Sequence, residues 1–155
     1  MISFEVVYDQ FLSTTNTNFG GLTDEEIQED LYNGVLLASS YFKFPRVSLE
    51  HTVFTVENPG PNGEKGAYFL DNVTQKEITV IVEHMRGISI NLQLTDAKKY
   101  DMYYQDANLK LPSQTAMITQ LNRSLENQIS KAKKVESDYY KAIDNKPTIG
   151  AIWSS

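Results

Sequence analysis

Val73-Thr74-Gln75-Lys76-Glu77-Ile78-Thr79-Val80-Ile81-Val82-Glu83-His84-Met85-Arg86-Gly87-Ile88-Ser89-Ile90-Asn91-Leu92 is the stretch on which the fold turns. Ile78, Ile81, Val82, Met85, Ile88 and Leu92 recur at steps of three and four, the spacing of one helix face. Several of these residues are β-branched, so propensity alone would allow a strand here. The start signal and the length of the repeat decide for a helix. Thr74 and Glu77 are placed as a capping box, and Val73 and Ile78 as the hydrophobic staple that closes across it.

The same start occurs upstream. Thr23 and Glu26 make a second capping box, with Leu22 and Ile27 as its staple, and Asp24, Glu25 and Glu26 put negative charge where a helix N-terminus favours it. Ile27, Leu31, Val35 and Ala38 form the apolar stripe of this helix, continued by Tyr41 and Phe42 until Pro45 ends it. A shorter helix precedes it from about Ser3 to Thr14, with Phe4, Val7, Tyr8 and Phe11 at helical spacing and Ser3 as cap. A fourth helix follows Pro112, from about Ser113 to Ile143. Its face is Ile118, Leu121, Leu125, Ile129, Ala132, Val135 and Tyr139, with Lys131, Lys133 and Lys134 on the wet side. Its length, roughly 45 Å at 1.5 Å per residue, exceeds what a compact domain of this size needs.

Between residues 46 and 71 the period changes. Val47, Leu49, His51 and Val53 alternate with polar residues, Ala67-Tyr68-Phe69-Leu70 is a second apolar run, and Asn58-Pro59-Gly60-Pro61-Asn62-Gly63 between them is turn chemistry. The expected fold is therefore mainly α: a bundle of about four helices with a β-hairpin excursion between the second and third. Residues 1–147 read as one domain, and residues 148–155 as an extended, apolar C-terminal docking tail.

The 155 residues are 41% hydrophobic and 22% charged, values of an ordinary soluble domain. With no cysteine, disulfides, thiolate metal sites and cysteine nucleophiles are excluded. A net charge of −6 disfavours a DNA-groove binder, whose affinity rests on neutralising phosphates. No run of apolar residues reaches the length of a membrane span, and Met1-Ile2-Ser3-Phe4-Glu5 is not the start of a signal peptide.

Candidate chemistry is sparse. His51 and His84 lie far apart without companions at metal-ligand spacing, and His84 reads better as a core-edge residue of the third helix. Asp24, Glu25, Glu26, Glu29 and Asp30 read as a helix start and a solvated face, because no calcium-loop spacing accompanies them. Gly60 to Gly66 fits neither phosphate-cradling pattern, and no nucleophile elbow is present. The expectation is no enzyme, no catalytic or metal site and no cofactor. Two segments stand out as partner-binding candidates. Tyr100, Tyr103 and Tyr104 stand in an otherwise polar connection between the third and fourth helices, where tyrosine suits either a local cap or a subunit contact. Ile149, Ile152 and Trp153 stand on a tail that Pro147 and Gly150 keep from continuing the helix.

The order of several short motifs resembles the small head–tail connector (adaptor) proteins of tailed bacteriophages, which form a ring beneath the portal. In that family a Leu-Thr-x-x-Glu start opens a helix with a methionine in its second half. A Gln-Leu pair, an Asp-aromatic-x-x-Tyr-x-x-Ala-Asn loop and a long final helix ending near an aromatic pair follow. Here the corresponding residues are Val73-Thr74-Gln75-Lys76-Glu77, Met85, Gln93-Leu94, then Asp101, Tyr104 and Ala107-Asn108, and finally Tyr139-Tyr140. Phe44-Pro45-Arg46 is similar to the family's bend after the second helix. The likeness covers about residues 43 to 143. It departs at Gly87-Ile88, where Trp-Leu is frequent, and at Asp106, where serine is common.

The resemblance implies a virion structural protein in the neck of the particle, assembled in the host cytoplasm. Its partners would be the portal protein, the next neck or tail protein and its own copies in a dodecameric ring. Genome DNA would pass through the lumen without specific binding, and no membrane would be involved. The acidic balance suits such a non-adhesive channel. The competing expectation is a cytoplasmic helical binding module, or regulator, that grips one protein partner.

Overall fold

The computed structural model describes residues 1–15, 21–106 and 112–144, with side-chain surroundings for 1–15, 21–98 and 115–142. The order of elements is β1 (Ile2–Ser3), α1 (Phe4–Thr14), α2 (Asp24–Tyr41), β2 (His51–Phe54), β3 (Gly66–Phe69), α3 (Gln75–Asp106) and α4 (Pro112–Asp144). This is the expected four-helix bundle with a β-hairpin between α2 and α3. The tail at 148–155, with Ile149, Ile152 and Trp153, lies outside the described residues.

The start of α2 is built as its sequence indicates. The Thr23 hydroxyl accepts from the Glu26 amide at 3.2 Å, and the Glu26 carboxylate accepts from the Thr23 amide at 2.8 Å. Ser3 caps α1 by accepting from the Glu5 amide at 3.2 Å. The start of α3 differs in detail: the Thr74 hydroxyl donates to the Glu77 carboxylate, and the Thr74 carbonyl accepts from the Ile78 amide at 3.1 Å. Pro112 sits at the first position of α4, where its missing N–H costs nothing.

Three features depart from the sequence expectations. The hairpin is part of a three-stranded antiparallel sheet in the order β1-β3-β2, because Ile2 and Ser3 pair with Phe69 and Tyr68 before α1 begins. The strand on the first arm starts at His51, not at Val47. The connection expected around Tyr100, Tyr103 and Tyr104 is corrected to helix: α3 continues to Asp106, so these tyrosines stand on its last turns. Between Gly87 and Asp106 no glycine or proline interrupts the helix, and residues such as Ala97, Lys98 and Gln105 favour one.

The core gathers Phe4, Val7 and Phe11 of α1, Leu31, Val35 and Ala38 of α2, Phe69 of β3 and Ile78, Val80, Ile81, Val82 and Met85 of α3. The expected stripe on α3 holds at Ile78, Ile81, Val82 and Met85, is half-buried at Ile88 and fails at Leu92, which is exposed. The structure also buries Val80 and Glu83, so α3 is enclosed on nearly all sides there. A helix surrounded by α1, α2 and α4 has no wet face to spare. Leu94 and Ala97 are buried too, apart from that core, on the stretch of α3 paired with α4. At 1.5 Å per residue the 32 and 33 residues of α3 and α4 run to about 48 and 50 Å, against about 27 Å for the 18 of α2. The long pair therefore outreaches the head as a helical hairpin.

Candidate interaction surfaces

The loop that follows α2 is tied by hydrogen bonds to the last turns of α4. After α2 the chain turns through Phe42 to Arg46, and every backbone N–H it has is accounted for. The Phe42 amide donates to the Ala38 and Ser39 carbonyls, both at 3.3 Å. The Lys43 amide donates to the Glu136 carboxylate at 3.3 Å, that of Phe44 to the Tyr140 hydroxyl at 3.1 Å, and that of Arg46 to the Tyr139 hydroxyl at 2.9 Å. Pro45 has no N–H to satisfy. Burial raises the Tyr139 and Tyr140 hydroxyls above the ordinary tyrosine range, against the opposing pull of the Arg46 and Phe44 amides they accept from. The aromatic pair near the end of α4 is thus a clasp on the preceding loop.

A second polar cluster ties α3 to α4 and α1. The Glu83 carboxylate, 5% exposed, meets the Arg86 guanidinium at 2.5 Å, the Gln128 amide at 2.7 Å and the Lys131 ammonium at 3.7 Å. Gln128 also donates to the Glu83 carbonyl at 3.0 Å, and Arg86 to the Thr15 hydroxyl at 3.2 Å. Paired in this way, a buried carboxylate carries no large uncompensated charge.

Both histidines have partners within the fold. His84 Nε2 lies 3.5 Å from the Glu136 carboxylate, with the Tyr41 ring edge-on beside it. His51 Nε2 lies 3.1 Å from the Tyr32 hydroxyl, and its ring packs on Phe4. Among the described residues no group of three or more histidine, aspartate or glutamate side chains could hold a metal ion, and no helix is long and apolar enough to cross a membrane.

Exposed apolar side chains occur at two places of functional interest. Leu37, Tyr41 and Phe44 mark the outer side of the α2 end, with Phe44 72% exposed. Leu92, 60% exposed, together with Met117 and Ile129, marks the long hairpin. Tyr100, Tyr103 and Tyr104 belong by backbone to the far end of the same hairpin. The tail residues Ile149, Ile152 and Trp153 lie outside the described residues. A cleft between the sheet and the α1–α2 layer is a surface the sequence did not announce. It is lined by Phe4, Tyr8, Glu29, Tyr32, Val53 and Lys65 among others, and holds about 370 Å³. The sequence signal for it was only Tyr8 and Tyr32 on two helix faces, which read equally well as core.

Compared with protein-family models, curated proteins and solved structures, the chain matches none.

Proposed function

We propose that this protein is a structural connector of a phage particle: a ring subunit in the neck that joins the portal to the next neck or tail component. The observation that carries the reading is the long α3–α4 hairpin. It outreaches the head and bears exposed Leu92 and Met117 where a lone domain would gain by polar residues. Such a hairpin gives one copy a lever to pack on the next, with the head as the fixed end. The ordered motifs from Val73 to Tyr140 support the same class, and the acidic balance suits a lumen that DNA slides through. In this reading the subunit works by shape and contact, with no chemical step.

The tail from Thr148 to Ser155 is assigned to docking, with Trp153 as anchor and Ile149 and Ile152 filling pockets. An extended apolar segment can add to another protein's sheet edge, where backbone bonds supply affinity and alternate side chains supply specificity. Deleting residues 148–155 should leave helix content and thermal midpoint nearly unchanged while abolishing attachment to portal-bearing heads. A truncated protein that melts several degrees lower yet still attaches would show the tail folded over its own bundle.

A further inference from the structure

The cleft between the sheet and the α1–α2 layer holds a group that the fold leaves unused. Tyr8 is 7% exposed as a residue, and its hydroxyl, which bonds to no group among the described residues, is not sealed off but reaches solvent at the cleft it lines. Buried tyrosine hydroxyls ordinarily find a partner. The neighbouring Tyr32 hydroxyl does so, on His51 at 3.1 Å, and is therefore committed to the fold. Burial, then Tyr32, then the Glu5 carboxylate push the Tyr8 hydroxyl up to about 12, so it keeps its proton and faces the cleft as a donor. It awaits an acceptor.

The rest of the lining selects charge. Glu5 and Glu29 are exposed carboxylates on two different helices that converge on the cleft, against Lys65 alone among basic groups in its lining. The accessible aromatic of the lining is the half-buried Tyr32, stacked on the buried Phe4 with centroids 5.9 Å apart, while Tyr8 stands edge-on to Phe4 at 6.3 Å. Aromatic rings beside carboxylates attract an ammonium or guanidinium, the rings through their quadrupoles and the carboxylates through charge. A hydroxyl donor alongside calls for a carbonyl within reach of the same ligand.

We propose that this cleft is a docking pocket for a lysine or arginine side chain presented on an extended segment of a partner protein. The cation lies beside Glu5, Glu29 and the Tyr32 ring, and a main-chain carbonyl of the same segment accepts from Tyr8. The site is independent of the neck-ring reading, because its chemistry is the same on any partner.

The test is a titration of the full chain, followed by backbone amide NMR shifts at Glu29, Tyr32 and Ala67. The probes are the N-acetyl N-methylamides of lysine, arginine, norleucine and glutamate, with butylammonium as a cation lacking a peptide carbonyl. Saturable shifts with the lysine and arginine probes alone, tighter than with butylammonium and weakened by salt, are expected. Glu5→Gln and Glu29→Gln should each weaken binding about 2- to 5-fold, the usual worth of one exposed charge contact. Lys65→Gln should tighten it. Tyr8→Phe should remove the preference for the diamides over butylammonium. Shifts as large with norleucine or glutamate, butylammonium binding as tightly as lysine diamide, or glutamine variants that bind unchanged would each overturn the assignment.

Discussion

At Tyr139, one hydroxyl accepts the Arg46 amide from a loop 93 positions away in the chain. Tyr139→Phe keeps the ring against Phe42 but removes that acceptor, and should cost about 1 kcal/mol in a urea titration. Unchanged stability would mean that water serves the Arg46 amide equally well. Tyr8 makes a sharper test, through pH. Its folded hydroxyl is raised to about 12 from an ordinary value of 10.0. The unfolded chain therefore loses the proton first. The stabilisation is complete below the unfolded value and fades as pH climbs through the folded one, by at most roughly 2–3 kcal/mol. The stability of wild type should fall more steeply between about pH 10 and about pH 12 than that of Tyr8→Phe. Parallel declines would place the alkaline sensitivity in Tyr139 and Tyr140, which both proteins share. None of these partnerships was legible in the sequence. Spacing shows that a tyrosine lies on an apolar face, but not which distant amide its hydroxyl meets.

Elements were more legible than contacts, because caps and periodicity are local. Thr23 and Glu26 announced α2, and Thr23→Ala should cost about 1 kcal/mol by leaving the Glu26 amide without its acceptor. Thermal or urea midpoints unaltered by that change would remove the capping box from the account. Two glycines inside helices give the opposite sign. A methyl group at Gly34 would meet only the end of Met85 at 3.4 Å, and one at Gly87 only Gln128 at 3.9 Å. Gly34→Ala and Gly87→Ala should each stabilise by up to about 1 kcal/mol, the helix penalty of glycine. Destabilisation at Gly34 would show that the Met85 side chain cannot give way. What the sequence concealed among the elements had two causes. β1 is two residues long and runs straight into α1, too short for any alternating pattern to show. The reach of α3 to Asp106 was hidden by the polar, tyrosine-rich character of its last turns, which read as a connection although nothing there breaks a helix.

For the whole molecule, the sequence supplied the class of fold through four helix patterns and one change of period, while the sheet closed by β1 and the cleft behind it required the chain to be folded. The proposed role rests on the contrast between the compact head and the long hairpin. Replacing Tyr100, Tyr103 and Tyr104 together with serine at the hairpin's end should leave a folded subunit that no longer joins its copies. Assembly that persists without them would assign the subunit contact elsewhere. The central claim is tested most directly by electron cryo-microscopy of particles purified from cells that make the protein with an affinity tag. The account predicts a closed ring of density directly beneath the portal, each unit fitted by the β1-β3-β2 head with its α3–α4 hairpin against the next copy. Particles whose neck holds no such density, with the tagged protein recovered instead as a small complex with a single partner, would contradict it.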